Sequence, residues 1–168
     1  MSIETRPLAT IRASSGAWER LRILNENRTI AMVGLSADPM RPSHFAAIYM
    51  QSEGYDIIPV NPRYAGGTIL GQTVYASLEE IPHPVQLVDV FRRTEEVPGI
   101  ARSAIAIGAN VLWMQLGVIN EEAATIAREA GLEVVMDRCV KIEHARFFGG
   151  LNLVGMNTGV VTSRRRVG

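Results

Sequence analysis

Ile30-Ala31-Met32-Val33-Gly34-Leu35-Ser36-Ala37-Asp38-Pro39-Met40-Arg41-Pro42-Ser43 decides the fold. Its almost wholly apolar start reads as a strand covered on both faces, as strands of a parallel sheet are. A tight Gly/Ser turn follows. Pro42-Ser43 then opens a helix, because proline is tolerated at the first helical position. A helix N-terminus presents unpaired backbone N–H groups and partial positive charge, so it attracts phosphate oxygens. The glycine spacing of a dinucleotide site is absent. Gly34 is followed by Ser36, and Pro39 stands where the third glycine would be.

Working outward, strands and helices alternate. Ser14 or Ser15 caps a short helix through Trp18–Leu24 that ends near Asn27. Thr29–Leu35 is the first strand, and Pro42–Ser52 is a helix with Phe45, Ala46, Ile48 and Tyr49 at helical spacing. Tyr55–Val60 is the second strand. Pro59 cannot donate to a ladder there and is read as its last paired residue. Gly66, Gly67 and Gly71 make the next loop flexible or sharply turned. Ser77–Ile81 gives a helical turn, Val85–Phe91 the third strand, and Thr94–Ile107 a helix. Pro98 lies too deep in that helix for its first position, which predicts a later start or a bend. Asn110–Leu116, a helix opened by Asn120 and running to Ala130, Glu133–Met136, and a short helix to about Arg146 complete the pattern. Such alternation implies βαβ units and a parallel sheet of about five strands, a doubly wound, Rossmann-like α/β domain. Ligands in these sheets bind beyond the carboxyl ends of the strands. The expected organisation is a flexible N-terminus over 1–14, one domain over 15–146 and a tail over 147–168 that ends in Arg164-Arg165-Arg166.

The 168 residues suit one domain and a substantial core. Formal charge is zero, so no global field draws in nucleic acid or an acidic membrane, and an anion site must be built locally. The arginine run alone is too small a footprint for nucleic acid. The one cysteine, Cys139, excludes an internal disulfide and a cysteine-based metal cage. No apolar run is long enough to span a bilayer, and no secretory signal is evident, so a cytoplasmic location is expected.

A nicotinamide site wants an acid after the second strand, and this chain has Asn61-Pro62-Arg63. NAD loses its sequence support, whereas Arg63 leaves a 2′-phosphate, and so NADP, open. Ser36 and Ser43 offer hydroxyls, and Arg41, Arg63, Arg92 and Arg93 end up on one side of the sheet if the topology holds, forming a local anion trap. Gln115 and Gly117 point to the same edge, either contacting a ligand or fixing the loop. Trp113 is expected under a helix. The acid pairs 79/80, 95/96 and 121/122 are read as helix starts. His44 is read as a phosphate contact or a solvent-facing residue. Asp137 and Cys139 are read as a buried or capping pair, with a helix-stabilised thiolate as the alternative.

The ordered set Val33-Gly34-Leu35-Ser36, Arg41-Pro42-Ser43, Pro59-Val60-Asn61-Pro62, Val88-Asp89-Val90-Phe91-Arg92-Arg93, Gln115-Leu116-Gly117 and Asp137–His144 resembles the small stand-alone CoA-binding proteins. Those in turn resemble the CoA-binding domain of the succinyl-CoA synthetase alpha subunit. The resemblance covers residues 15–146 and implies a Rossmann-like fold with coenzyme A across the strand ends. It implies phosphate contacts at Gly34, Ser36, Arg41 and Ser43, with Pro42 between them. It adds Asn61, Pro62 and Arg63 after the second strand, and Phe91, Arg92 and Val97 after the third. Phe91 is equally readable as a core aromatic. The synthetase's phosphohistidine and ATP-binding domains find no counterpart here, and His144 inherits no role.

The expectation is therefore a protein that binds CoA or an acyl-CoA without catalysis of its own. Two alternatives stay open. One is an NADP-dependent reductase, or an acyl-CoA enzyme using Asp137, Cys139 or His144. The other is an interaction protein, with the tail or first helix forming a homo-oligomer or meeting a protein partner.

Overall fold

The computed structural model describes residues 16–148 of the chain. Helix α1 (Ala17–Glu26) leads into a central parallel sheet of β1 (Thr29–Val33), β2 (Asp56–Val60), β5 (Leu87–Val90), β6 (Val111–Met114) and β7 (Glu133–Val135). Helix α2 (Pro42–Ser52) joins β1 to β2, α3 (Val97–Ala106) joins β5 to β6, and α4 (Glu121–Glu129) joins β6 to β7. Helix α5 (Val140–Phe148) follows β7. A two-stranded antiparallel hairpin, β3 (Thr68–Ile69) and β4 (Gln72–Thr73), sits in the connection after β2. The predicted cap at Ser14 or Ser15, the segment 1–14 and the arginine-ended tail beyond residue 148 lie outside the described residues. Phe147 and Phe148 belong to α5 rather than to a tail.

The sheet order is β2-β1-β5-β6-β7, which in chain order of its strands is 2-1-3-4-5. This is one of the two common doubly wound orders, with its switch point between the first and third strands. Both faces are covered, as the continuous apolar strands require. Ile30, Met32, Ile57, Leu87, Val111 and Trp113 pack on one face against α1, α2 and α5. Ala31, Ile58, Val88, Val90, Leu112 and Met114 pack on the other against α3 and α4.

Two prolines behave in instructive ways. Pro59 is not the last paired residue, because pairing continues from Met32↔Pro59 to Val33↔Val60. It is tolerated because β2 is an edge strand of the sheet. The segment around Pro98 divides into a 3₁₀ turn at Thr94–Glu96 and an α-helix that starts at Val97, which puts the proline in the helix's first turn. No described helix is long and apolar enough to cross a membrane.

Candidate functional site

The carboxyl ends of β1 and β5 diverge into opposite layers, and a cleft of about 640 Å³ opens above them. Gly34 follows β1 directly with φ +93°, and a Cβ there would lie 2.4 Å from the Phe91 carbonyl oxygen and 2.8 Å from Arg92 Cδ. Only glycine lets the two strand ends approach this closely. The loop to α2 is tied by its own side chains. Ser36 N–H donates to Ser43 Oγ at 3.1 Å, Asp38 N–H to Ser36 Oγ at 3.1 Å, and Met40 N–H to Asp38 Oδ1 at 2.9 Å. Both serine oxygens therefore shape the loop by accepting, and each retains its own O–H to donate. His44 is neither a solvent residue nor a rim residue. It is buried, with Nδ1 2.8 Å from the Ser36 carbonyl oxygen.

Asn61 joins the second loop to the first. Its Nδ2 donates to the Leu35 carbonyl at 3.1 Å and its Oδ1 accepts from Arg63 N–H at 3.1 Å. The arginines then separate into those that reach the cleft and one that does not. Arg41, Arg63 and Arg92 line it. Arg41 is largely exposed, 3.8 Å from Asp38 Oδ2. Arg63 is exposed, with its guanidinium 5.6 Å from the Tyr64 ring centroid. Arg92 donates to Glu96 Oε1 at 2.7 Å, and this partner holds the Glu96 carboxyl below the usual carboxylate range. Arg93 is 83% exposed, approaches Glu96 from outside and does not line the cleft.

Ten of the twelve residues expected at the site thus share one cavity: Gly34, Ser36, Arg41, Pro42, Ser43, Asn61, Arg63, Phe91, Arg92 and Gln115. Two do not. Val97 is fully buried in the core beneath α3, and Pro62 faces a separate cavity beside Ser77 and Gly99. Phe91 satisfies both of its readings, packing on the edge of the core and lining the cleft. Gln115 is anchored from below, its Nε2 donating at 2.6 Å to Oδ1 of the fully buried Asp89.

The cleft also takes in Tyr64, Leu116, Val118, Cys139 and Ile142. Of these, Tyr64 and Val118 escaped the sequence reading, and Leu116 and Ile142 entered it only as members of the quoted motifs. Leu116 and Ile142 are exposed large hydrophobics on the carboxyl side of the sheet, a combination that is itself a signal. Asp137, at φ +59°, accepts from Gly117 N–H at 2.8 Å and so joins the loops after β6 and β7. Trp113 is fully buried, as expected, and donates to the Arg138 carbonyl at 2.8 Å. His144 is enclosed by Tyr49, Tyr55 and Phe148, with Nδ1 3.0 Å from the Tyr49 hydroxyl. Burial lowers its pKa below the ordinary imidazole value. Among the described residues no group of acids, histidines and cysteine could hold a metal ion.

The wall changes character along its length. Hydroxyls and guanidinium groups follow β1, β2 and β5, Leu116 and Val118 follow β6, and Ile142 comes from α5, whose Lys141 reaches the Phe45 ring of α2. Over the switch point of a 2-1-3-4-5 sheet, this is the architecture of the doubly wound nucleotide-binding folds. The chain belongs to the CoA binding domain family, whose pattern residues 28–145 match. An uncharacterized protein of Bacillus subtilis (strain 168), YneT, is 46% identical over 123 residues, 73% of this chain and 90% of that protein. A hypothetical protein from Pyrococcus horikoshii OT3 superposes with a TM-score of 0.78 at 36% identity, covering 89% of this chain and 100% of that one. The dinucleotide-forming acetyl-coenzyme A synthetase 1 of Ca. Korarchaeum cryptofilum shares the fold at 20% identity and a TM-score of 0.57, over 66% of this chain and 26% of the synthetase.

Proposed function

We propose that the cleft binds coenzyme A or an acyl-CoA and that the protein is a binding module rather than a catalyst. One observation carries the reading: three arginines, two serines and the N-terminus of α2 converge on the cavity that also holds an apolar stretch. Coenzyme A has the matching division, with its diphosphate and 3′-phosphate at one end and the pantetheine arm at the other. Membership of the CoA binding domain family supports the same ligand.

The chain's own groups have distinct tasks in this reading. The Ser36 and Ser43 hydroxyls and the α2 N-terminus meet the diphosphate, where backbone dipoles favour negative charge. Arg41 and Arg63 supply mobile cations from the exposed rim, and Arg92 is held ready by Glu96. Phe91, Leu116, Val118 and Ile142 cover apolar ligand atoms. Gly34 keeps the two strand ends close enough for one ligand to span them.

Titration calorimetry with CoA, acetyl-CoA, NAD, NADP and ATP tests this. CoA and acetyl-CoA are expected to bind, and Arg41→Ala to weaken both about tenfold, the ~1.4 kcal/mol scale of one charge-assisted contact. Binding of NADP without binding of CoA would overturn the proposal in favour of a reductase. Turnover of an acyl-CoA that is lost in Cys139→Ser would overturn the non-catalytic part alone.

A further inference from the structure

The cleft does not end at Cys139. Leu116, Cys139 and Ile142 also line a second cavity of about 450 Å³, which lies between α1, α5 and the loop after β7. Its walls hold three guanidinium groups, from Arg20, Arg138 and Arg146, against two carboxylates, from Asp137 and Glu143. Both carboxylates are engaged. Glu143 accepts from Arg20 Nε at 2.7 Å and lies 3.6 Å from Arg146 Nη1, and Asp137 accepts from the Gly117 amide. Arg138 is the remaining cation. Its Nη1 meets only the Asp137 carbonyl at 3.3 Å, and its Nε is buried with no acceptor among the described residues. Buried donors on a cation are costly to leave unmatched, so native structures rarely do so without a reason.

We propose that this second cavity receives the acyl group of an acyl-CoA whose far end carries a carboxylate, with Arg138 as its counter-ion. The inference rests on the reading of the main cleft as a CoA site. The order of wall types supplies the argument. A ligand with its phosphates at the loop after β1 that lays its pantetheine arm on Leu116 and Val118 runs across the sheet edge toward β6 and β7, where Leu116, Cys139 and Ile142 are shared by the two cavities. Whatever the sulfur carries then enters the charged cavity. A methyl-ended acyl chain gains little there and leaves Arg138 unmatched. A carboxylate gives the Arg138 guanidinium the acidic partner it lacks among the described residues and offsets the three-to-two excess of cations on the described walls. A site built around a polar partner rejects analogues that lack it.

Calorimetry on the full chain, with thioesters matched in length, tests the proposal: malonyl-CoA against propionyl-CoA, succinyl-CoA against butyryl-CoA, and glutaryl-CoA against pentanoyl-CoA, with CoA and free succinate as references. In at least one pair the carboxylate-ended member is expected to bind about tenfold more tightly. Arg138→Met should bring that ratio to within twofold while the affinity for CoA itself stays the same, and Arg138→Lys should keep part of it. The wild-type ratios decide the matter even if a variant fails to fold. Equal affinities within every pair, with CoA still bound, would remove the acyl cavity and leave the main cleft intact. Failure of CoA and every thioester to bind would remove the underlying reading instead. Free succinate binding as tightly as succinyl-CoA would show a site for small acids and overturn the thioester assignment.

Discussion

Asp89 sits in the middle strand of the sheet between Met32 and Trp113, with no exposure to solvent. Its Oδ2 has no hydrogen-bond partner among the described residues. Burial pushes its carboxyl up to about 8, an effect only partly opposed by the bonds from Gln115 and the Val90 backbone. The folded protein therefore keeps a proton that the unfolded chain, with a pKa near 3.8, has already released. Stability contributed by this group is full below about pH 4, declines as pH rises towards about 8 and levels off above that. The steepest slope is about 1.4 kcal/mol per pH unit. Asp89→Asn, which preserves shape and the acceptor for Gln115, should abolish that slope, so its urea midpoint should overtake the wild type's increasingly between pH 5 and 8. Equal declines in both proteins would refute the assignment. The signal in the sequence was a lone acid inside an apolar strand, and its weight passed unread because the strand order, which puts Asp89 in the middle of the sheet, is not legible from the run of residues itself. Gly34 was legible for the opposite reason, since a glycine closing an apolar run before a helix has few other uses. Gly34→Ala combines a left-handed φ with a Cβ 2.4 Å from the Phe91 carbonyl oxygen. It should cost on the order of 2–3 kcal/mol and lower the thermal midpoint, measurable by calorimetry. Val97 came to the expected site only through the resemblance, and it is buried in the core because α3 starts at this residue and turns its side chain inward.

The five strands of the sheet and the helices between them were legible because their apolar runs and caps agree with one another. Asn120 is a clear case. Its Oδ1 accepts from Ala123 N–H at 2.8 Å, capping α4, and its Nδ2 donates at 2.9 Å to the Thr94 carbonyl beside α3. Asn120→Ala is expected to cost about 1–2 kcal/mol, more than a simple cap, while Asn120→Asp keeps the cap and loses only the tie to Thr94. Chemical denaturation of the three proteins should rank them in that order, and identical stabilities would discount both bonds. The β3–β4 hairpin was not legible, because each strand has only two residues, too few to show a period. The association of α1 with α5 was hidden for a different reason. It runs through the buried pair Arg20–Glu143, separated by 123 positions in the chain. Either residue alone reads as a solvated charge on a helix. Glu143→Leu removes a buried acceptor from both Arg20 and Arg146 and should lower the stability, and Arg20→Met/Glu143→Leu together should cost less than the sum of the two single changes. Additive losses in a double-mutant cycle would show that the two charges act independently.

At the scale of the molecule, the cleft depends on a topological accident of the sheet rather than on any one loop. Chain reversal at β1/β5 sends α2 to one layer and α3 to the other, and the gap left between them is where the arginines gather. The protein is electrically neutral overall, so this gathering is local and its field dies within about 10 Å at ordinary ionic strength. Two consequences can be measured together. A ligand bound only by the folded state adds about 2.7 kcal/mol at 100 times its Kd, which for a chain of this size corresponds to a rise in Tm of about 5–11 °C. CoA is expected to produce that rise, with a smaller rise in Arg63→Ala or Arg92→Ala because each removes one cation from the rim. Raising the salt from 50 to 500 mM should shrink the CoA-induced rise while leaving the Tm of the free protein little changed, since the opposing ion pairs inside the fold, such as Arg20–Glu143, are buried and poorly screened. A rise that is insensitive to salt would mean that contact with the pantetheine arm, not the gathered cations, holds the ligand. No rise at saturating CoA would mean that the convergence of these groups at the switch point serves some other anion.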